Sequence, residues 1–351
     1  MRLALFLALA VPVSAQTPEA VVARVLARAE KLVASQNGKD AREIRDSDLA
    51  AENLSKELKS LGWKAAPALG AAAQELKRPV KVRVLAVSFL GLIRDPAAFP
   101  PLEDILLNRE QAPIVRSLAA QSLPGLGAPD ASVSRVLCAA LAQEDLPREV
   151  LSDAMLSLSR LGCPDPAALT RLARSFGPRP GDKDLVLVKA ALATLGRSRG
   201  ADSGQAILAL AAYFPPLGDA RAAAIMALDA RRAEIATWLL PEALPVVIAA
   251  LRSESANWET MIPLIRTAAA LGPETGQALS RLSKHPDAEV LAEAAEALVV
   301  FKRVEAIPAL EAVVADAMSD PRFSPKEGRP DPALSLARIE KAVAALRRAR
   351  D

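Results

Sequence analysis

The stretch Val82-Arg83-Val84-Leu85-Ala86-Val87-Ser88-Phe89-Leu90-Gly91 decides the architecture. Apolar residues recur in it at steps of three and four, the period of a helix with a buried face, and a small residue, Ala86, stands one turn before Leu90. The same pairing of a small residue with a leucine four positions on returns along the chain. Ala119 precedes Leu123, Ala154 precedes Leu158, Ala191 precedes Leu195, Ala224 precedes Leu228, Thr267 precedes Leu271 and Ala294 precedes Leu298. Successive anchors lie about 35 residues apart, the length of a two-helix repeat. A small anchor lets a neighbouring helix approach, and the leucine on the same face fills the shared core. Gly91, Gly196 and Gly272 follow three of these leucines, and each is expected to supply a left-handed turn that ends its helix.

Between these helices the chain carries helix starts: Asp95-Pro96, Pro129-Asp130, Asp165-Pro166 and Pro273-Glu274. Asp accepts hydrogen bonds from the first backbone N–H groups, and Pro gives up only an N–H that would have no helical partner. A single helix pair cannot bury its apolar face, so consecutive pairs stack. The expected fold is all-α, an α-solenoid of stacked antiparallel helix pairs. About seven repeats are expected over residues 79–318, behind N-terminal helices and a divergent leading repeat at 16–78. A Pro-rich loop follows at 319–332, and then a helix at 333–351 that caps the stack. Docking of an acidic partner is the competing reading of that helix's Arg338, Lys341, Arg347, Arg348 and Arg350. The interval between Ala224 and Thr267 is longer than the others and holds Trp238, Pro241, Pro245 and Trp258, which predicts an extended or kinked pair.

Residues 82–91, together with Val115-Arg116-Ser117-Leu118-Ala119-Ala120-Gln121-Ser122-Leu123, resemble the V-R-x-x-A-x-x-x-L-G core of HEAT repeats. Ala220-Arg221-Ala222-Ala223-Ala224 with Leu228 is a weaker copy, and Asp287, Val290, Ala294 and Leu298 fit without the arginine. Leu151, Val188, Leu264 and Leu291 stand where the family has Arg, so the resemblance implies an incomplete polar ladder between repeats. It implies a HEAT-like superhelix and an extended concave surface, and it leaves the activity open.

Of the 351 residues 51% are apolar and 3% aromatic, which excludes disordered and collagen-like chains. Forty-four Lys and Arg against 41 Asp and Glu leave +3, too little field to gather nucleic acid. Residues 1–15 read as a secretory signal, with Arg2, an apolar run over 3–13 and a small-residue cleavage site after Ala15. The expected product is an exported monomer, periplasmic or secreted, that does not insert in a membrane. Export permits a disulfide between Cys138 and Cys163. The preferred reading is nevertheless two small buried hydrophobes, because the repeat register separates the two residues in height.

Little in the sequence speaks for chemistry. His285 is the sole histidine and sits in a turn, Lys284-His285-Pro286, without a spaced partner. Glu293 with Glu296 reads as a solvated helix face. No catalytic, cofactor-binding or metal-binding residue is assigned, and the chain is expected not to be an enzyme. The expected function is a scaffold that binds an unidentified protein or peptide along a concave groove formed by the second helices of the pairs. Tyr213, Phe214, Trp238 and Trp258 are the candidate contacts, with filler for an irregular repeat as the competing reading. The alternatives are a lyase-like enzyme or enzyme accessory, by analogy with other HEAT-like proteins, and a purely structural envelope spacer.

Overall fold

The computed structural model describes residues 17–35, 56, 60–253, 258–317, 319–325 and 330–351. The segment read as a secretory signal lies outside them, as do residues 36–55 and 57–59 of the stretch read as N-terminal helices and a leading repeat. Every regular element among the described residues is helical, and the architecture is an all-α solenoid of stacked helix pairs. By packing, the chain divides into two compact units, Met1–Leu158 and Ser159–Asp351.

The first unit holds α1 (Pro18–Ser35), α2 (Ala66–Gln74), α3 (Val80–Ile93), α4 (Phe99–Leu107), α5 (Pro113–Ser122), α6 (Asp130–Leu141) and α7 (Arg148–Leu158). Each helix packs on its neighbour and on the helix after next, so α3, α5 and α7 form one layer and α2, α4 and α6 the other. That two-layer arrangement follows from the repeat, because each pair leaves an apolar face only the next pair can cover.

The second unit continues the scheme with α8 (Pro166–Ser175), α9 (Asp182–Arg197), α10 (Ala201–Tyr213), α11 (Asp219–Ala230), α12 (Arg232–Trp238), α13 (Leu240–Ser253), α14 (Trp258–Leu271), α15 (Gly276–Ser280), α16 (Ala288–Val300), α17 (Ile307–Asp316) and α18 (Pro332–Arg350). The first-helix layer runs α9, α11, α14, α16, α18, each packed on the next. The long interval between anchors is filled by an extra short helix, α12, and Pro245 lies inside α13. The added residues thus make an additional element that packs on both α13 and α14.

All seven anchor residues and all seven leucines are buried, none more than 3% exposed. The helix starts also form as read: Asp95 Oδ1 accepts from the Ala97 N–H at 2.9 Å, and Asp165 Oδ1 from the Ala168 N–H at 3.2 Å. The glycines differ. Gly272 has φ +111° and does end its helix, but Gly91 and Gly196 lie within α3 and α9 and are not left-handed. Their role is close approach: a Cβ on Gly91 would stand 2.6 Å from Ser122 Oγ of α5, and one on Gly196 would stand 3.4 Å from Ala227 Cα of α11. The left-handed residue that ends α3 is Arg94, at φ 51°.

The buried arginines show what carries the polar ladder. Arg116 donates from Nε to the Leu106 carbonyl at 2.9 Å and from Nη2 to Gln143 Oε1 at 2.5 Å, while Gln143 donates to the Leu107 carbonyl at 3.0 Å. One repeat earlier Arg83 donates to the Arg78 carbonyl at 3.1 Å and to Gln111, which donates to the Ala73 carbonyl at 3.1 Å. Arginine and glutamine together satisfy the carbonyls that a helix C-terminus leaves unpaired. In the second unit Arg221 bonds the Phe214 carbonyl at 3.2 Å and Ser253 Oγ at 3.3 Å, with serine in place of glutamine. Neither cysteine is a free thiol: Cys138 and Cys163 are both disulfide-bonded, which corrects the reading of them as simple buried hydrophobes.

Candidate binding groove

Helices α9, α11 and α14 follow one another in the first-helix layer of the second unit, with α11 packed against both of the others. Their outward faces are poor in side-chain volume. Ala193 and Gly196 come from α9, and Ala222, Ala223, Ala227 and Ala230 from α11. Large side chains there would fill the space, whereas these leave a cavity of about 1100 Å³ that is open to solvent on one side. Its apolar boundary is completed by Met226, Trp258, Ile262 and Pro263. Met226 is 56% exposed, and an unbranched thioether in that position can adapt to whatever it meets.

Charge lies at the rim: Lys189, Arg197, Asp219, Glu259 and Arg266. Lys189 Nζ lies 3.4 Å from Asp219 Oδ2, so α9 and α11 share an exposed ion pair. Arg266 donates from Nε to Glu293 Oε1 at 2.8 Å, which raises its pKa above the ordinary arginine value. Beside it burial raises the Asp229 carboxyl above its usual range, against the opposing pull of Arg232 and Arg266. Glu293 also receives Arg338 Nη2 at 2.7 Å, and Arg338 binds Glu296 through Nε and Nη2 at 2.9 and 2.8 Å, as well as Glu289. The hydrogen bonds to Glu296 and Glu293 hold the Arg338 guanidinium well above its ordinary pKa, and the Arg338 hydrogen bond lowers that of Glu296. The glutamates read from the sequence as a solvated face therefore clamp the last helix.

The structure separates the four aromatic candidates. Trp258 lines the cavity. Trp238 is 54% exposed at the end of α12 and is not part of the cavity lining. Tyr213 and Phe214 pack edge to face, 5.3 Å between ring centres. The Arg174 guanidinium sits 5.5 Å over the Tyr213 ring. Phe214 is 1% exposed, so it is core and has no surface to offer a partner. His285 is buried in its turn, accepting the Asp287 N–H at Nδ1 at 3.0 Å.

The expected groove lay on the second helices, whereas the cavity is built from first helices. Its signal was present in the sequence as the many alanines of α11, but the same residues also served the close-packing argument, and spacing alone does not say which alanines line a cavity. Gln111 and Gln143 were missed for a related reason: each stands between helices, where no periodicity marks it.

No family model and no curated protein matches the chain. Among solved structures it is similar to human deoxyhypusine hydroxylase in complex with glycerol, with 18% identity over 83% of this chain and 99% of that one, at a TM-score of 0.31. That protein is an enzyme by its description, and the expectation that the present chain has no enzymatic activity is withdrawn on that finding. Among the described residues no helix is long and apolar enough to cross a membrane.

Proposed function

We propose that this chain is a HEAT-like recognition protein whose α9–α11–α14 groove takes a segment of a protein or peptide partner. The observation that supports the reading is the cavity of about 1100 Å³, floored by small residues and bounded by Trp258, Met226, Ile262 and Pro263. Alanine surfaces bury little by themselves, but an apolar side chain entering such a space loses water on every side that faces the protein. Each fully buried Leu or Met then contributes about 1.5–3 kcal/mol. Export is part of the proposal: it is supported by the character of residues 1–15, and the oxidised state of both cysteines suits an oxidising compartment.

A random peptide library panned against the protein tests the reading. Peptides enriched on the wild type should lose binding to Ala223→Trp, which fills the groove from its middle helix, while binding Trp238→Ala unchanged. Enriched peptides that bind Ala223→Trp as well as the wild type place recognition elsewhere. Trp258 offers a second readout: in a Trp63→Phe, Trp238→Phe background it is the sole tryptophan, and an occupant should shift its emission.

A further inference from the structure

The rim charges say more about the occupant than the floor does. Lys189 and Asp219 neutralise each other across α9 and α11, and Arg266 is taken by Glu293 of α16. Arg197 differs. It stands at the C-terminal end of α9, is exposed, and among the described residues its guanidinium is partnered by the neutral backbone carbonyl of Ser159. Among the described residues no carboxylate pairs with Arg197, so this end of the groove carries a positive charge. Width adds a second constraint. The groove lies over α11 and is flanked by α9 and α14, which do not pack on each other. Adjacent packed helices stand about 8–10 Å apart axis to axis, so the axes of the flanking pair are about 16–20 Å apart, the span that an occupant lying across α11 bridges.

We infer that the occupant is a short helix of a partner protein, apolar on the face laid against Ala222, Ala223, Met226 and Ala227, with its C-terminal end or an acidic side chain there placed at Arg197. The inference rests on the groove reading above and adds chemistry and direction to it. A helix C-terminus already carries about half a negative charge from its unpaired carbonyls, so this orientation joins the occupant's dipole to its carboxylate at the guanidinium. The alanine floor suits the same occupant, because small side chains let the backbone of a second helix come close. Crossing the groove takes about 12–14 helical residues at 1.5 Å each.

The probe is a synthetic Leu- and Ala-rich helical peptide of that length, made in two forms, with a free C-terminal acid and with a C-terminal amide, each titrated against the full chain by fluorescence anisotropy. The acid should bind about tenfold more tightly than the amide, the size of one charge-assisted hydrogen bond. Arg197→Gln should abolish that difference, and Arg197→Lys should keep most of it, with unchanged circular dichroism in both. Added salt should weaken the acid form more than the amide. Equal affinity of the two peptides, both lost in Ala223→Trp, overturns the inference and leaves the groove standing. Binding of neither peptide overturns it too, while binding that Ala223→Trp leaves intact removes the groove reading itself.

Discussion

At the scale of single residues the structure depends on guanidinium groups that replace missing helix hydrogen bonds. Arg116 is 3% exposed, and burial lowers its pKa from the usual value, yet it keeps two acceptors, the Leu106 carbonyl and Gln143. Methionine would match its length and leave both acceptors buried without a donor. Arg116→Met should therefore cost about 1–3 kcal/mol in chemical denaturation. Because Gln143 is the shared partner, Gln143→Leu should cost less in the Arg116→Met background than in the wild type. Full additivity of the two substitutions would show that the ladder is two independent caps. The arginine half of this device was legible from residues 115–123 because it falls in a helical motif. The glutamine half was not, since a residue in a connection acquires its partner only when the preceding repeat folds back beside it.

At the scale of elements the decisive contact is the clamp on α18. Arg338 reaches Glu289, Glu293 and Glu296, three carboxylates on one face of α16, and Arg347 reaches Glu311 of α17 with Nε at 2.7 Å. Beneath them Ile339, Val343 and Leu346 are buried. The apolar stripe was readable from its period, but the basic residues of the helix also fitted an acidic partner until Arg338 and Arg347 were seen to have acidic partners inside the chain. Arg338→Met should raise hydrogen exchange throughout α18 while leaving α9 and α11 protected, because it removes one cation and leaves three like charges facing each other. Acid should act in the same direction. The Glu296 pKa is lowered by Arg338, so its contribution is complete above the ordinary value of 4.5 and is lost as pH falls through the folded value. Asp229 opposes it: its pKa is raised by burial, so protonation from its folded value down toward 3.8 relieves a cost. Protection of α18 should thus hold down to about pH 4.5 and fall below it in the wild type, and change little in Arg338→Met, whereas α11 should be steady or gain. A loss in α11 that matches the loss in α18 would assign the acid effect to something other than the clamp.

At the scale of the molecule, the repeat predicts how damage spreads. The stacking register came through from sequence because each anchor and leucine obeys the same local rule seven times, whereas the short helix α12 and the first-helix groove break the period and had no local rule to announce them. In a stack each helix touches only near neighbours, so stability is a chain of nearest-neighbour terms. Ala191 tests this within the second unit. It is fully buried in α9, which packs on α8, α10 and α11 and not on α16 or α18. Ala191→Leu inserts three carbons where none fit and should cost about 1–3 kcal/mol. Native-state hydrogen exchange should place that loss in α8–α11, fading through α14, with α16 and α18 at wild-type protection. If protection falls equally from α8 to α18, the unit unfolds as a single cooperative block, and close packing such as Gly196 against Ala227 transmits strain much further than nearest-neighbour stacking allows.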